Sequence, residues 1–212
     1  TAPDLGAVAI KEVVARAGLA ANDIDEVIMG CVLPAGLKQG PARQAMRQAG
    51  LPDSTGATTI NKICGSGMKA VMQAADAIKA GSAEIVVAGG MESMSNAPYL
   101  MDKARAGFRM GHGKVIDHMF QEGLEDAETG LSMGILAQEM ADKKGYTREQ
   151  QDDYAIGSLN KAVTAVQQGF FKDEIVPVTV SSRKGDVIVE QDEQPLNAKA
   201  DKIPTLRPAF KK

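Results

Sequence analysis

Thr58-Thr59-Ile60-Asn61-Lys62-Ile63-Cys64-Gly65-Ser66-Gly67-Met68-Lys69-Ala70 passes from a β-branched stretch, through a cysteine followed by glycines, into a helical period. β-Branched residues favour the pleated, half-buried surface of a strand, so Thr58 to Ile63 is read as one. Beyond Gly67, Val71, Ala74, Ala75 and Ile78 recur at helical spacing and predict an inward face, with Gly81 as the stop. The chain then returns to Ile85-Val86-Val87-Ala88, a second apolar run. Strand, helix and strand in this order imply a parallel pair joined by a crossover helix, and hence an α/β fold class.

The same rhythm extends upstream. From Asp4 to Ala17, Ile10, Val13, Val14 and Ala17 form an amphipathic stripe, with Asp4 as expected N-cap and Gly18 as stop. Val27-Ile28-Met29 predicts a short buried strand. Gly40-Pro41 opens another helix that closes at Gly50-Leu51-Pro52. Residues 1–95 are therefore expected to form one α/β core domain. From Asn96 to Asp126 the sequence turns rich in Gly, Met and charge without a clear period, and an extended loop region is expected. A helix over about 133–144 follows, then one capped by Thr147 and Gln150 that turns Tyr154, Ile156, Leu159, Val163 and Val166 inward. Ile175 to Val180 and Val187 to Val189, joined by Ser181-Ser182-Arg183-Lys184-Gly185, predict an antiparallel hairpin. Residues 96–212 are expected as a second, α+β domain.

Bulk properties narrow the class. The 212 residues are 44% hydrophobic and 24% charged with a net charge of −3, an ordinary globular composition. A chain of this length buries roughly 70% of its unfolded surface and needs neither disulfide nor metal to fold. The two cysteines, Cys31 and Cys64, have no paired spacing, and a reducing, cytoplasmic setting is expected. Mild acidity argues against nucleic acid as a partner, and no apolar run approaches the roughly 18 residues of a membrane span.

Cys64 carries the chemistry. A thiol on a strand-to-helix turn is exposed, and helix N–H groups with the positive end of the dipole favour an anion there. Such a thiol should ionise more readily than a free one. The flanking glycines would let a ligand approach the backbone, and the Cys64 amide could donate to an oxyanion. Together these features suit acyl transfer through a thioester. A small apolar filler beneath a Gly-rich turn is the alternative that position alone leaves open. Cys31, inside a predicted strand, reads as a buried structural residue. His112 and His118, in the loop-like stretch, read as solvated or packing residues rather than general bases.

Asn61-Lys62-Ile63-Cys64-Gly65-Ser66-Gly67-Met68-Lys69-Ala70, followed after the next strand by Ala88-Gly89-Gly90-Met91-Glu92-Ser93-Met94-Ser95, resembles the acyl-enzyme signature of thiolases. The resemblance extends through Arg109-Met110-Gly111, Glu149-Gln150-Gln151-Asp152, Glu174-Ile175-Val176-Pro177 and Leu206-Arg207-Pro208-Ala209-Phe210. It implies a thiolase-type N-terminal half-domain plus loop domain, truncated at both ends, with an opening strand missing near the middle of the first sheet. It further implies that Cys64 takes an acyl group from acyl-CoA and passes it to an acyl-CoA carbanion or to free CoA. CoA is then substrate, no cofactor or metal is needed, and the intact parent is a homo-oligomer, a dimer or tetramer.

The family's activating histidine and second cysteine lie in a Gly-Glu-His or Gly-His-Pro element and a Cys-x-Gly-Gly-Gly element, neither of which occurs in these 212 residues. By resemblance, Leu124, Ser132 and Met133 match positions that touch CoA or the acyl group, with ordinary packing as the alternative for Leu124 and Met133. Ser132 stands where acetoacetyl-CoA thiolases often carry histidine, and Leu196 where relatives often carry an arginine that packs on adenine. Lys172, Arg183 and Lys184 could meet phosphates or simply be solvated. Three functions are compatible with this reading. The first is an acetyl-CoA acetyltransferase portion, with a longer-chain 3-ketoacyl-CoA thiolase as its close variant. The others are a non-catalytic CoA-binding or oligomer-forming module and a nonfunctional truncated product.

Overall fold

A computed structural model describes residues 1–211. These fall into two compact units, one from Thr1 to Glu125 and one from Asp126 to the end of the described residues. Residues 96–125 thus pack with the first unit, beyond the change of composition near Met94.

In the first unit, α1 (Ala2–Arg16) starts from an N-cap at Thr1. Asp4 is the third residue of that helix and closes a capping box with Thr1, so it is not the cap itself. β1 (Glu26–Gly30), α2 (Pro41–Gln48), β2 (Gly56–Ile60), α3 (Ser66–Lys79) and β3 (Val86–Gly90) follow. The sheet order is β2-β1-β3, all parallel, with Ile28 of β1 opposite Thr58 and Ala88. In this chain β1 bonds directly to both neighbours, with β2 and β3 as the outer strands of the three.

The pleat of β1 divides the core. Val27 and Met29 point to one face, where they meet Ile10, Val14, Ala42, Ala45 and Met46 of α1 and α2. Ile28 points to the other, against Ala70 and Ala74 of α3. A central strand covered on both faces must be apolar throughout, which is why Val27-Ile28-Met29 shows no alternation. On α3 the inward residues are Ser66, Ala70 and Ala74, whereas Val71 and Ile78 are exposed. The expected face is therefore rotated: small residues allow close approach to the sheet, and the larger apolar ones lie outward.

The stretch expected as one extended loop contains local structure. A short antiparallel ladder joins β4 (Tyr99–Leu100) to β5 (Ile116–Asp117), and a single π-helical segment spans Phe120–Leu124.

In the second unit, α4 (Met133–Lys144) and α5 (Arg148–Gln167) match expectation, including the Thr147–Gln150 capping box. Along α5, Ala165 is buried, Ile156, Leu159, Val163 and Val166 are half-buried, and Tyr154 is exposed rather than inward. β6 (Val178–Ser182) and β7 (Gly185–Val189) form the expected antiparallel hairpin. α6 (Glu193–Asn197) and a 3-10 segment, Ala200–Thr205, complete the unit. Among the described residues no helix is long and apolar enough to cross a membrane.

Candidate active site

The strand read through Ile63 ends at Ile60, and the next residues form the turn that presents Cys64. Ile63 adopts φ 48°, the left-handed region, where a β-branched side chain is strained by roughly 1–2 kcal/mol. Its neighbours hold it there. The Ile63 N–H donates to Asn61 Oδ1 at 2.9 Å, Ser66 N donates to the Ile63 carbonyl at 3.0 Å, and Ser66 Oγ donates to the same carbonyl at 2.6 Å. Ser66 Oγ also accepts from Lys62 N at 2.8 Å, which explains why this hydroxyl is buried at the first position of α3. Backbone strain persists only where its surroundings over-determine it, and it clusters at sites of chemistry.

The result is an exposed, free Cys64 immediately before the Gly65 N-cap of a helix running from Ser66 to Lys79. Gly67 lies against the backbone of Gly89 and Gly90, where an added Cβ would make ordinary contacts at 3.6–3.8 Å. Along α3 beyond the turn, Met68, Val71 and Met72 are all more than half exposed.

Cys31 lies just beyond β1 and is buried, as expected. Burial pushes its thiol up to about 11, and the adjacent Glu92 carboxylate, 3.6 Å from Sγ, acts in the same direction by charge and by hydrogen bonding. It is a packed thiol, chemically unlike Cys64. His118 is buried too. Its Nε2 accepts from the Ala35 N–H at 3.4 Å, and its backbone N–H donates to the Pro98 carbonyl. This is the packing role foreseen for it, whereas His112 is exposed.

The other residues singled out lie apart from this turn in sequence. In the first unit, Leu124 is half-buried at the end of the π-helical segment. In the second, Ser132 is the N-cap of α4 and Met133 its first residue, half exposed. The ring of Phe210 lies directly on Gly134, the next residue of α4, a neighbour to which no local pattern points. Lys172, Arg183 and Lys184 are exposed, the last two at the tip of the β6–β7 hairpin, and Leu196 is exposed on α6.

Residues 1–212 match the family described as Thiolase, N-terminal domain. The chain belongs to that family. Among curated relatives, acetyl-CoA acetyltransferase of Pseudomonas aeruginosa is 49% identical, with 100% of this chain aligned to 54% of the relative. The enzyme of the same name from Escherichia coli is 50% identical over 100% of this chain and 54% of its own length. Among solved structures, a thiolase from Ascaris suum in complex with coenzyme A superposes with a TM-score of 0.91 at 40% identity, covering 100% of this chain and 53% of that one. The chain thus spans about half the length of the thiolases it matches.

Proposed function

We propose that this chain supplies the acyl-accepting half of a thiolase, with Cys64 as nucleophile and CoA thioesters as substrates. The observation that carries the reading is the strained turn at Ile63, which sets an exposed thiol at the N-terminus of α3 within a chain of the thiolase family. In the first step Cys64 Sγ attacks the thioester carbonyl of an acyl-CoA. A new carbon–sulfur bond forms to Cys64, the bond to CoA breaks, and the CoA thiolate leaves with the proton given up by Cys64. The Cys64 amide and the first turn of α3 stabilise the oxyanion that develops between these events.

Acetyl is the acyl group the relatives' names favour, so the whole enzyme condenses two acetyl-CoA or cleaves acetoacetyl-CoA. Leu124, Ser132 and Met133 are the residues we assign to the pantetheine and acyl groups. The second step needs a base for the α-carbon or for incoming CoA. Neither Cys31 nor His118 is placed for it, because both are buried in packing roles. Full turnover accordingly requires groups beyond this sequence, and the chain alone stops at the acyl-enzyme.

Mass spectrometry after incubation with acetyl-CoA and with acetoacetyl-CoA tests this, with Cys64→Ala as control. We expect an acetyl adduct that maps to Cys64 and is absent from the control, without sustained release of free CoA. A chain that stays unmodified with both substrates would overturn the proposal that it can take the acyl group by itself.

A further inference from the structure

Glu92 follows β3 in the segment that carries the second half of the thiolase-like signature, but the acyl-transfer chemistry leaves it without a role. Its carboxylate is turned toward the chain leaving β1. Oε2 accepts from Val32 N–H at 2.8 Å, Oε1 accepts from Leu33 N–H at 3.0 Å, and the Cys31 thiol approaches Oε1 at 3.6 Å. A charged acceptor holding two consecutive amides fixes that segment more firmly than a neutral partner would.

The clamped segment is in turn bonded to the turn that presents Cys64. Cys31 N–H donates to the Ile60 carbonyl at 3.0 Å, and Asn61 Nδ2 donates to the Val32 carbonyl at 3.5 Å. The Oδ1 of the same Asn61 accepts from Ile63 N–H, the residue whose left-handed backbone sets the direction of Cys64. We propose that Glu92 is a positioning residue for the nucleophile, acting through Val32 and Asn61 on the Ile63–Cys64 turn. The proposal rests on the reading of Cys64 as the acyl acceptor. It adds that the end of β3 sets the reactivity of a thiol it does not touch.

The test is a double-mutant cycle in the full chain on Glu92→Gln and Asn61→Ala. Glu92→Gln keeps the shape but puts an amide where one carboxylate oxygen meets a backbone donor, while Asn61 is exposed and its loss leaves the core intact. Two rate constants are read at Cys64, alkylation by iodoacetamide and acetylation by acetyl-CoA, with circular dichroism confirming the fold. Each single variant should slow both reactions, on the order of tenfold or more for acetylation, as small displacements of a reacting group commonly do. The double variant should be little slower than the slower single one, because both substitutions break one path.

Wild-type alkylation in Glu92→Gln with only a lowered melting temperature, or strictly additive effects, would overturn the positioning role. Should Glu92→Gln not fold, Glu92→Asp takes its place in the cycle, keeping the charge but not the reach. An unacetylated wild-type chain with a non-additive alkylation cycle would reject the acyl-transfer reading and support the positioning role. Acetylation together with an additive cycle would do the reverse.

Discussion

A methyl group built on Gly30 would stand 2.5 Å from Ser66 Cβ and 2.7 Å from the Ser66 carbonyl carbon, so the end of β1 and the first turn of α3 are in contact through a missing side chain. The obstructing atoms include helix backbone, which cannot swing aside. Gly30→Ala must therefore push the N-terminus of α3 outward, at a cost of about 1–3 kcal/mol. Urea unfolding should show this loss. Gly157→Ala, in the open middle of α5 with nothing within 4 Å, should instead gain about 0.5–1 kcal/mol. Because α3 carries the Cys64 turn, Gly30→Ala should also slow alkylation of Cys64, and an unchanged rate would show the turn to be independent of that contact.

The two cysteines should separate cleanly by reactivity. Cys31 is buried and its thiol is pushed up to about 11, whereas Cys64 is exposed. Only the thiolate is alkylated, so iodoacetamide at pH 8 should modify Cys64 and leave Cys31 untouched until urea is added. Peptide mapping distinguishes the two. Modification of Cys31 in the folded chain would mean that the packing of Cys31 against Glu92 opens readily.

These two sites also show how far the sequence could be read. Val27-Ile28-Met29 marks a short buried strand, and Gly-rich punctuation around Cys64 marks the turn, because both signals are local. The inward face of α3 differs from the one its apolar periodicity predicts, for a physical reason. Apolar periodicity marks Val71 and Ile78 as readily as Ala70 and Ala74, and only the close approach of the sheet at Gly30, Gly67 and Gly90 selects the smaller residues. The β4–β5 ladder was missed because two-residue strands carry no period. The reach of Glu92 back to Val32 spans 60 residues, a separation at which no local pattern can reveal a hydrogen bond.

Asp25 should give the first unit a measurable pH dependence. Its carboxylate accepts from Glu84 N–H at 2.7 Å and Ile85 N–H at 3.0 Å, fastening the approach to β3 to the approach to β1. The bonds from Ile85 and then Glu84 hold its pKa below the usual 3.8. A carboxyl whose pKa is depressed by folding contributes stability above the unfolded value, and that contribution is lost as pH falls through the folded one. Asp25→Asn should therefore lower the urea midpoint equally at pH 7 and pH 5, and the difference from wild type should shrink toward pH 3. A difference that persists undiminished at pH 3 would trace the effect to shape rather than charge.

Arg148 governs the last segment of the second unit. Its Nε donates to both carboxylate oxygens of Asp152 at 2.8 and 2.9 Å, and its guanidinium donates to the carbonyls of Ile203 at 3.2 Å and Leu206 at 2.9 Å. One planar fork thus braces the first turns of α5 and anchors the chain that leads to Phe210 on Gly134. Lysine carries the charge but cannot present donors in this arrangement. Arg148→Ala should destabilise the segment by about 1–2 kcal/mol, a range kept low because the arginine side chain is 44% exposed. Arg148→Lys should recover little of that loss. Trypsin should then cut after Lys199 and Lys202 faster in both variants than in wild type, while the helix content of α5 stays unchanged. Equal cleavage rates would show that Phe210 and the Lys211–Asp142 pair, 2.7 Å apart, hold the segment without the arginine.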